Sequence, residues 1–219
     1  FGYAALSCFL WAVIRLPLAD TTVIHFTNPV WTALLAAIFI GEVLRGWEVL
    51  LAFVALGGVI LVARPGFLFG QASGLDPVAV GVALSGAILS AAAYVTARRL
   101  TRRNDPLVIV FAFAVVSLVG SAPLAAANFV LPRGLEWLLL LSVGVAAQAG
   151  QVYVTKALKL EKAGRVMAVG YLQIVFAAVW GLLLFSEAPD LWTGLGAAVI
   201  IGATFLMGRK HPVAAPAGR

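Results

Sequence analysis

Charge is what this chain has least of. Of its 219 residues only nine are Asp or Glu and 15 are Lys or Arg, 11% in all. Asp20, Glu42, Glu48, Asp76, Asp105, Glu136, Glu161, Glu187 and Asp190 all fall at the ends of apolar runs or between them. No carboxylate is therefore expected deep in a span, where one would serve as a proton or cation relay. A single cysteine, Cys8, excludes an internal disulfide and reads as a small packed apolar side chain. No metal-ligand spacing, nucleophile elbow or phosphate loop occurs, so nothing supports an enzyme, a metal centre or a cofactor. No secretory signal precedes the first apolar run, and the chain opens on Phe1 in mid-pattern, as expected of a chain lacking its beginning.

What is abundant is hydrocarbon. Apolar residues make up 63% of the chain and the mean hydropathy is +1.05, well above the usual balance of a soluble domain. Successive runs of about 20 apolar residues are each long enough to cross ~30 Å of bilayer core as a helix. The fold class is all-α: a polytopic membrane protein whose partner is the lipid bilayer. The runs predict eight helices, near 1–14, 22–41, 46–63, 78–97, 106–127, 136–155, 166–186 and 191–208. Short linkers rich in breakers, RPGFLFGQASGLDP and LPRGLE, separate some of them. The tail HPVAAPAGR has too little apolar surface to fold, so 209–219 is expected to be disordered.

The net charge of +6 has a topological reading and requires no nucleic acid. Numbering the loops alternately, one side carries only Arg15, Arg64 and Arg133. The other carries Arg45, Arg98, Arg99, Arg102, Arg103, Lys156, Lys159, Lys162, Arg165, Arg209, Lys210 and Arg219. Basic loops stay in the cytoplasm, which puts the C-terminus there and makes a bacterial inner membrane the expected location.

An internal repeat sharpens this reading. Displaced by 145 residues, 24–64 overlays 169–209, with ten identities over 41 positions, including Glu42/Glu187, Trp47/Trp192 and Arg64/Arg209. The displacement advances the chain by five helices, an odd number, so the two copies must cross the membrane in opposite directions. Inverted repeats of this kind characterise secondary transporters, whose halves exchange conformations about a midplane site.

The stretch LPLADTTVIHFTNPVWTALLAAIFIGE, Leu16 to Glu42, followed by a helix ending GGVILVARP, resembles the EamA-type transporters of the drug/metabolite transporter superfamily. The second copy, 161–209, is less faithful, with Gln173 and Ile174 where the first has Asn28 and Pro29. The resemblance implies ten helices as two five-helix inverted repeats, both termini cytosolic, with the first two helices absent here. Residues 1–64 would be an incomplete first repeat, 65–77 a linker and 78–208 the second repeat. It also implies a small-molecule substrate, with export and import both represented among relatives. A non-transporting membrane scaffold or receptor is the alternative.

Candidate lining residues come from polar side chains inside apolar runs. Thr21, His25, Asn28 and Thr32 form one stripe of a helix, and unsatisfied polar groups are costly in hydrocarbon, so the stripe should face the interior. Pro29 lacks an N–H and clashes with the His25 carbonyl, which breaks the helix at that depth. Imidazole is the side chain that ordinarily titrates near neutrality, so His25 is also a candidate proton relay. Repeat-equivalent positions pair Phe26 with Tyr171, Asn28 with Gln173 and Trp31 with Phe176. Two amide–aromatic pairs would suit an amphipathic organic solute. Gln148, Gln151 and Thr155 form a second inward stripe, with Tyr3 as the repeat equivalent of Gln148; Ser90 and Tyr94 are lesser candidates. Gly57, Gly58, Gly194, Gly196 and Gly202 permit close helix contact on the third and eighth spans, which should be peripheral supports or a homodimer surface. Glu42 and Glu187, at span ends, are expected to cap the following helices or to set topology.

Overall fold

The structure is a computed structural model that describes residues 1–69, 75–127, 130–185 and 190–209; the expectations for Glu187 and for the tail beyond residue 209 lie outside them. Eleven helical segments follow one another among the described residues: α1 (Gly2–Arg15), α2 (Leu18–His25), α3 (Asn28–Ile40), α4 (Gly46–Ala63), α5 (Gly66–Phe69), α6 (Pro77–Leu100), α7 (Pro106–Ala127), α8 (Leu135–Leu160), α9 (Ala163–Val169), α10 (Leu172–Phe185) and α11 (Leu191–Arg209). They make eight apolar passages. Six are long and apolar enough to cross a membrane, counting 18–40 and 163–184 as single spans, and α1 and α11 are shorter apolar helices. The chain is a polytopic helical membrane protein.

Two passages that the hydropathy pattern predicts as continuous helices are broken. The second stops at His25 and restarts at Asn28. Pro29 has no N–H to give the His25 carbonyl, and the turn closes through Thr27 N–H to Ile24 O at 3.1 Å and Val30 N–H to Thr27 O at 3.0 Å. The seventh passage breaks within one residue of the same repeat position, between Val169 and Leu172, with no proline at all. Here Gly170 N–H reaches Met167 O at 3.0 Å and Tyr171 N–H reaches Ala168 O at 3.2 Å. A Cβ at Gly170 would sit 2.9 Å from the Met167 carbonyl oxygen, so the tight turn requires glycine. Proline and glycine thus produce one backbone feature in the two copies by different physical means.

The α4–α11 pair forms the backbone of the assembly. Their facing glycines nearly touch: a Cβ on Gly58 would lie 2.8 Å from Gly196 O, and one on Gly196 would lie 2.6 Å from Gly58 O. Arg64, just past the end of α4, pairs with Asp190, just before α11. The two helices are therefore antiparallel, as inverted repeat mates must be. Leu50, Phe53, Leu195 and Ile201 are exposed on the outer side of this pair, and its inner faces build the largest buried cluster. It includes Ala55, Val59, Ile200 and Met207 together with Val23, Phe26 and Tyr171. Only Gly58 and Gly196 serve close contact; a Cβ at Gly57, Gly194 or Gly202 would meet nothing within 4 Å.

Elsewhere α6 lies against α1, α2 and α3, burying small residues such as Ala12, Ala79 and Ala83. Among the described residues α8 and α10 have no such cover. Gln148, Gln173 and Phe176 consequently lie on exposed surface, although the sequence predicts that Gln148 points inward. α2 begins at Leu18, so Asp20 lies in its first turn, at the end of the span, and it is fully buried there.

Candidate functional site

The site is built where the two broken passages meet. Helix interruption leaves the Phe26 carbonyl without its usual partner, because Val30 N–H turns to Thr27 instead. The buried Tyr171 hydroxyl donates to that carbonyl at 3.0 Å, and the Phe26 and Tyr171 rings lie 5.7 Å apart. These two residues are repeat equivalents, so the contact sits on the axis relating the halves. Their pairing is readable from the 145-residue displacement; the hydrogen bond is not, since Phe carries no hydroxyl to suggest it.

Next to this axis, α3 presents Asn28 and Thr32 to α6. Asn28 Nδ2 donates to Ser90 Oγ at 2.6 Å, and Thr32 Oγ1 donates to Asn28 Oδ1 at 2.9 Å. Both are buried, as are Thr21 and Pro29. In this conformation the carboxamide is satisfied between helices, with Ser90 as its partner. The Trp31 indole N–H goes to Thr27 Oγ1 at 3.1 Å, and Tyr94 packs against the cluster formed by Ala36, Val95, Leu158 and Ala163. The half-buried His25 ring stands 4.7 Å from that of Phe9, with Nδ1 buried and unpartnered. Gln151 is half-buried, Thr155 is buried against the Gln151 carbonyl, and Tyr3 donates to Gly120 O at 2.7 Å. The structure thus gathers Asn28, Thr32 and Ser90 in one place and Phe26 with Tyr171 in another. Gln148, Gln173 and Phe176 remain on the exposed side of the second repeat.

Sequence reasoning missed a groove of about 560 Å³, lined on α2 by Leu18, Ala19 and Thr22 and on α10 by Ala177, Ala178 and Gly181. Val62 and Ala63 from α4 and Thr193 from α11 complete its rim, and Ile174 forms its deep end. Those positions open on the side that carries Arg15 and Arg64, the side poor in basic residues. On the opposite, basic side α3 and α9 pack closely; a Cβ on Gly164 would lie 3.0 Å from Ala33 Cβ. Gly164 and Ala33 are the repeat equivalents of Ala19 and Ala178. One pair is in contact, and its mates stand on the walls of an open groove.

The closed side is sealed by ionic contacts between the repeats. Glu42 Oε1 accepts from Arg98 at 2.8 Å and from Arg102 at 2.9 Å, while Glu42 Oε2 accepts the Ala163 N–H at 3.2 Å. Glu42 therefore serves α9, correcting the expectation that it caps the helix after it; the N-terminal turn of α4 is closed by Glu48, which accepts the Arg45 N–H at 2.7 Å. Glu48 is fully buried and paired with Arg165, which also holds Glu161 at 2.8 Å. Lys162 Nζ donates to Val43 O at 2.7 Å, and Arg98 reaches Leu158 O at 2.6 Å.

Halves related by inversion, each with a broken helix, match a known family. The family model for EamA-like transporters matches residues 1–64 and 78–209. The chain belongs to the EamA-like transporter family. It is 35% identical over 209 residues to the pseudopaline exporter CntI of Pseudomonas aeruginosa, an alignment covering 95% of this chain and 72% of that protein. It is 32% identical over 212 residues to human solute carrier family 35 member G1, covering 92% of this chain and 58% of that one. A crystal structure with 20% sequence identity superposes with a TM-score of 0.82 over 94% of this chain and 74% of its own, which establishes the shared fold. This EamA-like chain is a membrane transporter.

Proposed function

We propose that this EamA-like transporter moves a small organic solute by alternating access, along a path between its two repeats. The path runs from the sealed basic face past the level of the two helix breaks, where Phe26, Tyr171, Asn28 and Thr32 lie, and leaves through the groove between α2 and α10. The carrying observation is the unequal state of two repeat-related contacts: Ala33 against Gly164 is closed, while Ala19 and Ala178 line open space. Exchanging the two arrangements would open the basic face and close the other, which is what inverted repeats permit.

His25, Pro29, Trp31, Gln148, Gln151, Gln173 and Phe176 complete the proposed pathway. Amides and hydroxyls would orient the solute and aromatic rings would cover its apolar part. Export is the favoured direction because CntI is named an exporter. The basic side is taken as cytoplasmic, in a bacterial inner membrane, with the C-terminus inside.

Proteoliposome flux tests this reading, with pseudopaline and a panel of amino acids and amphipathic amines as solutes. In a Cys8→Ser background, Ala19→Cys with Ala178→Cys should form a disulfide only when the groove closes. Oxidation should then abolish flux, and reduction should restore it. Flux that continues unchanged through a fully cross-linked pair would sink the proposal.

A further inference from the structure

Two buried carboxylates in this fold are treated in opposite ways. Glu48 in the first turn of α4 is fully buried and held by Arg165 and the Arg45 N–H. Asp20 in the first turn of α2 is equally buried, yet neither of its oxygens has a hydrogen-bond partner. The charged groups near its end of the fold are occupied elsewhere. Arg15 stacks over the Trp11 ring at 3.7 Å, Arg64 pairs with Asp190, and Asp76 accepts the Val78 N–H. A buried carboxylate without a partner is unfavourable and rarely kept for packing alone.

The repeat explains the difference. Displaced by 145 residues, Arg165 falls on Asp20 and Glu48 falls on Thr193. Arg165 and Glu48 join α9 to α4 on the sealed face. Their equivalents belong to α2 and α11, which border the open groove, and Thr193 lines it. In the closed pair the charges attract directly. In the other pair the repeat sets a carboxylate, Asp20, as the counterpart of Arg165, and the first turn of α11, with the Thr193 hydroxyl and a helix N-terminus that favours negative charge, as the counterpart of the turn holding Glu48. Here Thr193 is bonded to Asp190 instead, through both its N–H and its hydroxyl, at 3.0 and 2.8 Å.

Resting on the proposed pathway, we infer that Glu48–Arg165 and Asp20–Thr193 are the two gates of one exchange, the first shut and the second open in this state. Glu42, held by Arg98 and Arg102, reinforces the first gate. Closing the groove brings Asp20 onto the first turn of α11, giving its carboxylate the partners it lacks, while Arg165 releases Glu48. Each state thus satisfies one buried carboxylate and frees the other, which leaves the two within reach of each other energetically.

Thiol accessibility in the absence of solute tests this in a Cys8→Ser background. Ala36→Cys reports the interior beneath the sealed face, where Ala36 is fully buried, and Thr22→Cys reports the groove. Glu48→Gln should raise the labelling rate of Ala36→Cys about tenfold and lower that of Thr22→Cys several-fold. Glu42→Gln, with its site less buried, should give the same pair of changes should Glu48→Gln fail to fold. Adding Asp20→Ala should reverse both changes. Rates that rise together at the two reporters indicate general loosening and overturn the inference, as do rates unchanged by Asp20→Ala. A transporter that moves none of the solutes in the flux panel yet labels reciprocally would sink the solute pathway and leave the gates standing.

Discussion

At the residue scale, the meaning of a polar side chain in this protein depends on whether it is satisfied. Asn28 and Thr32 look alike in sequence to Gln148 and Gln173, all being polar groups inside apolar runs. The first two are tied to each other and to Ser90; the second two are exposed. Asn28→Ala should cost about 1–3 kcal/mol, because it removes two hydrogen bonds and leaves the Thr32 hydroxyl and Ser90 Oγ to find new partners. A thermal melt of the detergent-solubilised protein measures this as a lowered midpoint. Asp20→Ala should do the reverse and raise the midpoint, since it removes a buried group that has no partner. A lowered midpoint for Asp20→Ala would mean that the carboxylate is held by contacts the fold depends on.

At the element scale, glycine positions separate contact from mere apolar composition. Gly196→Val places side-chain atoms against the Gly58 carbonyl oxygen, which a Cβ alone would approach to 2.6 Å, and should destabilise by about 1–3 kcal/mol through overpacking. Gly202→Ala meets open space and should be neutral or stabilising by up to about 1 kcal/mol, as expected for replacing glycine inside a helix. Comparing the two melts tests whether α4 and α11 hold each other at Gly58–Gly196. The breaks follow similar logic. Pro29 announces its own; the one at Gly170 is visible only once Met167 O is placed 2.9 Å from where a Cβ would sit. A sequence reader has no reason to single out one glycine among 22.

At the scale of the whole molecule, orientation and state are separate questions. The proposed orientation rests on twelve basic residues against three on alternating loops; it predicts that a C-terminal fluorescent-protein fusion is bright in the bacterial cytoplasm and a C-terminal alkaline phosphatase fusion inactive. The opposite pattern would invert the assignment of the sealed face to the inside. State follows from the ionic seal and the groove on opposite sides, neither of which any single stretch of chain contains.

Long apolar runs, alternating basic loops and a displaced repeat are properties of composition and spacing, so the sequence by itself determined a helical membrane protein with a transporter-like internal repeat; the EamA-like type was legible from the resemblance of Leu16 to Glu42 to that family. The 41-residue overlay also set Phe26 and Tyr171 as equivalent aromatic positions of the two copies. Tertiary structure alone decided that α4 and α11 meet at Gly58 and Gly196, that Glu42 reaches Arg98 and Ala163, that Asp20 is buried without a partner, and that one face is sealed. The reason is range. Hydropathy and helix breakers act within a turn or two of the chain, whereas the contacts that seal the face join Glu42 to Arg98 and Glu48 to Arg165. Which of two symmetry-related contacts is made at a given moment is a difference between conformations of one sequence, and only a folded state expresses it.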